Sequence, residues 1–79
     1  MPQPPITFNL NKKPVTVTEN RLTGLQVKQA AIDAGIEIAL DFQLKIRHGN
    51  SPWEVVGDDD MVTVNKSTEF RAVTPDDNS

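Results

Sequence analysis

The stretch Thr23–Gly35, TGLQVKQAAIDAG, decides the fold because it contains the start, the apolar face and the end of one helix. Thr23 with Gln26 three residues later is a capping box, in which each side chain binds the other residue's backbone N–H. Gly35 suits the left-handed conformation that ends many helices. We therefore predict a helix from Leu25 to Ala34. Its apolar face, at helical spacing, consists of Val27, Ala30, Ala31 and Ala34.

Two alternating segments precede this helix and predict a β-hairpin. Ile6–Leu10 alternates apolar and polar residues, and Val15–Thr18 does so again with many β-branched residues. The polar segment Asn11–Pro14 between them is typical of a turn. Five side chains of the hairpin are expected to face the core: Ile6, Phe8, Leu10, Val15 and Val17.

The chain after the helix is strand-rich. Phe42–Arg47 alternates, which places Phe42, Leu44 and Ile46 inward. A hairpin, one helix and then two or three strands predict an α+β fold of the β-grasp arrangement, in which a mixed sheet packs on one helix. A small barrel is the alternative. Three shorter strand candidates follow Phe42–Arg47: Trp53–Val56, Met61–Val64 and Glu69–Val73.

Composition excludes several classes of protein. The chain has 79 residues, enough for one small domain, and no cysteine, so disulfides and thiol catalysis are excluded. The net charge of −3 argues against nucleic-acid binding, and no apolar run is long enough to span a membrane. The start, MPQPPITF, does not resemble a signal peptide, so we expect a cytoplasmic protein.

The ends of the chain differ from its middle. Residues 1–5 hold three of the six prolines and are expected to form a flexible arm. Residues 6–73 are expected to form the domain, and residues 74–79 a flexible acidic tail.

No residue pattern predicts an enzyme, a metal site or a cofactor site. His48, the single histidine, stands beside Gly49 and is expected to be a solvated loop residue. The run Asp58–Asp60 lacks the ligand spacing of a cation loop and is expected to be a solvated turn.

Two features are candidates for contact with other molecules. Trp53, the single tryptophan, is expected to close one end of the core, with a contact anchor as the alternative. The outward face of the third predicted strand carries Gln43, Lys45 and Arg47. This face is either an ordinary solvated surface or a docking surface for an acidic partner.

The chain resembles the bacterial multiubiquitin domain family from Ile6 to about Pro75. The resemblance implies a ubiquitin-like β-grasp that is a protein modifier rather than an enzyme and that needs no cofactor of its own. It also implies a bacterial ubiquitination-like operon, with a role in phage defence. Five stretches carry the resemblance: KKPVTV at 12–17, RLTGLQVKQAAIDAGI at 21–36, FQLKIRHG at 42–49, DDDMVTV at 58–64 and EFRAVTP at 69–75.

The resemblance further implies partners and a reactive end. The partners are a ubiquitin-activating-like enzyme, a ubiquitin-conjugating-like enzyme, a deubiquitinase-like peptidase and target proteins. The activating enzyme would use ATP to activate the carboxylate of Asp77, Asn78 or Ser79, with or without prior trimming. The full recognition and processing tail would comprise Val73, Thr74, Pro75, Asp76, Asp77, Asn78 and Ser79.

This sequence departs from ubiquitin in two ways. No Gly-Gly pair ends the chain, since no glycine follows Gly57, and Lys45 stands where ubiquitin exposes an apolar patch. The missing pair leaves open a second hypothesis, a non-covalent β-grasp adaptor that pairs a strand edge with its partner. Under the modifier hypothesis, Lys12 and Lys13 in the hairpin turn are the expected acceptors for chain growth.

Overall fold

The computed structural model describes residues 4–74. The predicted arm and tail therefore lie mostly outside the described residues, which exclude 1–3 and 75–79. The elements are, in chain order, β1 Ile6–Leu10, β2 Lys13–Val17, β3 Arg21–Thr23, α1 Gly24–Asp33, β4 Gln43–His48, β5 Glu54–Val56, β6 Met61–Thr63 and β7 Thr68–Val73.

Five strands form one mixed sheet in the order β2-β1-β7-β4-β5. The last strand, β7, lies in the middle, parallel to β1 and antiparallel to β4. Helix α1 contributes Val27 and Ala31 to the core on one face of this sheet. The predicted α+β fold is confirmed, and the barrel alternative is wrong because the sheet keeps two open edges, β2 and β5.

The hairpin turn is shorter than predicted. Only Asn11 and Lys12 form it, with φ values of 52° and 68°, and β2 already begins at Lys13. Two successive residues with positive φ match the twist of the flanking strands, which favours a tight two-residue connection. Pro14 is therefore a strand residue opposite Asn9 and not part of the turn.

Four other details correct the sequence-based expectations. Strand β3 has no alternating pattern and was not predicted; it pairs with β6 in a separate two-stranded sheet. Phe42 precedes β4 and is only partly buried against the core. Ala34 is the exposed C-cap of α1 and not part of its apolar face. Within residues 4–74 four strands follow the helix, one for each candidate segment, rather than the two or three expected of the fold.

The core lies between α1 and the inner face of the sheet. Its largest members include Phe8 on β1 and Phe70 on β7, whose rings meet edge to face at 5.0 Å between centroids. Burying a side chain of this kind stabilises the fold by about 1.5–3 kcal/mol. The inward prediction for the hairpin is confirmed, since Phe8, Leu10 and Val15 are buried and Ile6 and Val17 pack against them.

The start of α1 is fixed by the predicted capping box and by the acidic turn. The Gln26 N–H donates to Thr23 Oγ1 at 3.2 Å, and the Thr23 N–H donates to Gln26 Oε1 at 2.9 Å. The next N–H groups, of Gly24 and Leu25, donate to backbone carbonyls of Asp60 and Asp58. The exposed turn at 58–60 thus also supplies acceptors to the helix N-terminus, which the sequence did not predict.

Lys28 joins the helix to two other segments. Its Nζ donates to the Leu40 carbonyl at 3.0 Å and to Asp58 Oδ1 at 2.8 Å, and the residue is only 4% exposed. A buried ammonium needs such partners, because an unpaired one would lose its hydration without compensation. Lys28 is therefore a structural lysine.

Helix α1, the one helix of residues 4–74, falls short of the length and hydrophobicity that crossing a bilayer would require.

Gly24 allows the acidic turn to approach the helix, and we expect Gly24→Ala to lower the free energy of unfolding. A Cβ at this position would lie 2.3 Å from the Gly57 carbonyl oxygen, a backbone atom that cannot move alone. Overpacking of this kind costs about 1–3 kcal/mol, more than alanine gains in helix propensity. Urea unfolding measures the loss.

Gly57→Ala is the matched control on the other side of this contact. Its Cβ would meet only the end of the Asp60 side chain, at 3.2 Å, which can shift. We expect the control to lose much less stability. Equal stability of Gly24→Ala and the wild type would show that the close approach does not constrain the fold.

Candidate functional site

The C-terminal end of β7 is held from both sides. On one side, Val73 pairs with Gln43 on β4. On the other, the Asn11 side chain donates from Nδ2 to the Ala72 carbonyl at 3.1 Å, and its Oδ1 accepts the Ala72 N–H at 2.9 Å. The Asn11 backbone N–H also donates to the Phe70 carbonyl. The side-chain amide of Asn11 thus acts like a further residue of β1 and continues its parallel pairing with β7 beyond the end of β1.

This clamp fixes where the chain leaves the body of the protein. Val73 is the last residue of β7, and Val73 and Thr74 are both half-buried. Of the predicted recognition tail, these two residues are the described part. The remaining positions lie outside the described residues, and their role stays a prediction: Pro75, Asp76, Asp77, Asn78 and Ser79.

The predicted docking residues share the outer face of β4. Gln43, Lys45 and Arg47 are all half-buried on this face. Register places Lys45 beside Arg71 and Arg47 beside Glu69 on the neighbouring β7. Arg47 Nη2 lies 2.7 Å from Glu69 Oε2, a partly exposed ion pair that contributes less than about 1 kcal/mol. The face is therefore mixed in charge, with the cations in excess.

Trp53 lies on this outer face, so the prediction that it closes the core is wrong. Its ring centroid is 4.6 Å from Arg47 Cζ and 5.1 Å from Arg71 Cζ, and it is not a member of the buried cluster. Strand alternation explains the position. Val56 is buried, so residues at odd spacing from it, Val55 and Trp53, point the opposite way.

A shallow depression of about 440 Å³ opens beside Trp53. It lies between the β1–β2 turn and the outer faces of β4 and β7. The cations at its border are Lys12, Arg47 and Arg71, against the single carboxylate of Glu69. The other lining residues are Asn9, Asn11, Trp53 and Phe70.

The remaining candidate residues show no catalytic or metal-binding arrangement within residues 4–74. His48 ends β4 and is exposed, with Nδ1 3.3 Å from Thr68 Oγ1. It is thus a strand residue rather than a loop residue. In the described part of the chain, no three His, Asp or Glu side chains are grouped so as to hold a metal ion.

The two predicted acceptor lysines are exposed, and a third lysine is not. Lys12 lies in the hairpin turn as predicted, whereas Lys13 begins β2. Lys28 is buried and bound to two acceptors. The accessible amines at Lys12 and Lys13 permit chain growth there, which stays a prediction.

The sheet order, the helix that crosses the sheet and the position of β7 in the sheet centre define residues 4–74 as a ubiquitin-like β-grasp domain. The family model for multiubiquitin matches residues 6–76, nearly the whole chain, and the protein therefore belongs to the multiubiquitin family. This family consists of small ubiquitin-like domains. No curated protein and no solved structure gave a significant match.

Sequence reasoning missed three residues of the site. Asn11 was interpreted only as a turn residue, although an Asn directly after an alternating strand is suited to positive φ. Trp53 and Arg71 were not grouped with Arg47. Trp53 is three residues before the apolar Val56, and Arg71 lies between the apolar Phe70 and Ala72. Strand alternation in the two segments would therefore have placed both Trp53 and Arg71 on the outer face.

We expect Asn11→Gly to loosen the end of β7. Glycine accepts the positive φ of this position, so the substitution removes the two amide hydrogen bonds without adding backbone strain. The free energy of unfolding should fall by about 1–2 kcal/mol. Hydrogen exchange of the Ala72 amide, measured by NMR, should become faster.

Asn50→Gly is the control, because Asn50 is an exposed turn residue whose amide has no hydrogen bond within residues 4–74. It should leave Ala72 exchange unchanged. Undiminished protection of Ala72 in Asn11→Gly would contradict the clamp.

Amine acetylation should distinguish the lysines in the folded protein. With limiting reagent, Lys12 and Lys13 should react quickly and Lys28 slowly, because the Lys28 ammonium is buried and paired. Peptide mass spectrometry measures the rates. In urea all three should react alike, and Lys28 reacting as fast as Lys12 in the folded state would contradict the described burial.

Proposed function

We propose that this protein is a bacterial ubiquitin-like modifier, attached to targets through the carboxylate that ends the segment after β7. An activating-like enzyme converts the carboxylate and ATP to an acyl adenylate and pyrophosphate. A nucleophilic side chain of a transfer enzyme then displaces AMP, and a target nucleophile displaces that enzyme. A conjugating-like enzyme and a deubiquitinase-like peptidase complete the set of partners.

The clamped end of β7 is the observation that carries this proposal. An enzyme that binds the body and the tail together needs a fixed distance and direction between them. Asn11 on one side and Gln43 on the other fix the strand up to Val73. Pre-organisation of this kind reduces the entropy lost when an enzyme takes hold of the tail.

The two sheet edges weigh against the alternative of an adaptor that adds a strand. Because the two-residue turn makes Leu10 and Lys13 a hydrogen-bonded pair, the nitrogen of Pro14 faces the open edge of β2. That edge therefore lacks a donor at Pro14, which interrupts regular pairing with a partner strand. The other edge, β5, has only three residues. The modifier hypothesis is favoured for this reason.

The tail and the outer face would demand specialised enzymes. Residues 58–79 contain no glycine, so an enzyme channel that takes this segment must admit side chains, and Asp76 and Asp77 call for positive groups there. Lys45 and its cationic neighbours replace an apolar reader patch. ATP-dependent activation places the reaction in the cytoplasm, and the family setting favours a bacterial ubiquitination-like operon with a role in phage defence.

The test incubates the protein with ATP and with the activating-like and conjugating-like enzymes encoded beside its gene. We expect a covalent adduct that requires ATP, with an intact mass equal to both partners less one water. The mass also identifies the terminal residue that reacts. The parallel reaction includes the peptidase, in case the tail must first be trimmed.

A chain ending at Val73 is the matched control, since it keeps every element of the fold and loses only the segment after β7. It should form no adduct. If the full chain forms none with enzymes shown to be active, with and without the peptidase, the modifier proposal is wrong.

A further inference from the structure

We propose that the depression beside Trp53 is a docking site for an acidic peptide segment of a partner protein. The inference goes beyond the modifier function and does not depend on it. A non-covalent partner can use this face whether or not the chain is conjugated.

Unused positive charge is the first argument. The border of the depression carries Lys12, Arg47 and Arg71 but one carboxylate, Glu69, in a chain whose net charge is −3. Glu69 pairs with Arg47. Within residues 4–74, neither Lys12 nor Arg71 has a carboxylate within ion-pair distance.

A buried donor without an acceptor is the second argument. The Arg47 Nε is buried and has no hydrogen-bond partner in the described part of the chain. A buried N–H without an acceptor costs about 1–3 kcal/mol, so native structures rarely keep one. Arg47 lines the depression, so a small shift of its guanidinium on binding would bring this N–H to a ligand oxygen.

The third argument is that both arginines are held in place before a ligand arrives. The two guanidinium groups lie 4.6 and 5.1 Å from the centroid of one indole ring, within the range of cation–π attraction. Restricting them beforehand reduces the side-chain entropy lost on binding. Tryptophan and arginine together are also the residues that most often dominate binding energy at interfaces.

The chemistry of the site selects carboxylates on a peptide. A guanidinium binds a carboxylate through two parallel hydrogen bonds, and the exposed part of the indole offers a surface for a neighbouring apolar side chain. The volume of about 440 Å³ admits a few side chains. A polyphosphate strand is disfavoured, because Glu69 and the net charge of −3 would repel it.

Trp53 emission provides the test, because this is the single tryptophan of the chain. The probe is a short capped peptide with adjacent aspartates beside a leucine, titrated into the full chain at low salt. We expect a saturable change in emission that weakens as salt is added. The same peptide with asparagines should give no saturation.

Arg71→Gln is the decisive variant, since Arg71 is exposed and has no ion pair within residues 4–74, so the fold should be unaffected. We expect about tenfold weaker binding. Arg71→Lys should recover part of the affinity, because it restores the charge without the planar fork. Arg21→Gln is the matched control: it removes the same charge from β3, in the other sheet, and should bind like the wild type.

Four results would overturn the proposal. Equal binding of the asparagine peptide would remove the role of charge, and equal weakening by Arg21→Gln would remove the role of the site. A single-stranded oligonucleotide that binds more tightly than the peptide would assign another ligand class. If the peptide binds a chain ending at Thr74 but not the full chain, the occupant is this protein's own acidic tail and not a partner.

Discussion

The parallel pairing of β7 with β1 is the constraint on which the rest of the structure depends. It places the last strand between two strands formed by distant parts of the chain, so the sheet is complete only when the C-terminal residues are in place. Phe70 then closes the core against Phe8. The neighbours of Phe70 on β7, Glu69 and Arg71, complete the charged outer face. One strand thus supports the core, the outer surface and the exit of the chain.

The two faces of the sheet follow different physical rules. The inner face is held by apolar burial, which is strong and non-directional. The outer face is held by directional contacts between Arg47, Arg71, Glu69 and the Trp53 ring, each of which is weak in water. Substitution of the outer residues should therefore cost the fold less than substitution of the inner ones. Function is best sought on this face and at the end of β7.

The sequence predicted those parts of the fold that depend on neighbouring residues. The capping box of Thr23 and Gln26, the alternation of β1 and the ending at Gly35 are local signals, and all three were confirmed. Strand β3 was missed because three residues carry no period and its pairing with β6 is set by the tertiary fold. Trp53 was misplaced because its burial depends on Arg47 and Arg71 across two strands. Family resemblance supplied the functional hypothesis, which no local pattern contains.

Parallel neighbours also determine how the domain can be joined to other chains. Asn9 lies opposite Glu69, Ile6 precedes Asn9 by three positions, and Val73 follows Glu69 by four. Because β1 and β7 are parallel, Val73 lies seven residues further along the sheet than Ile6. At about 3.3 Å per residue, the start of β1 and the end of β7 are roughly 23 Å apart. A domain fused before Ile6 and another fused after Val73 would start from opposite poles. In head-to-tail copies, each join would then connect the exit pole of one copy to the entry pole of the next.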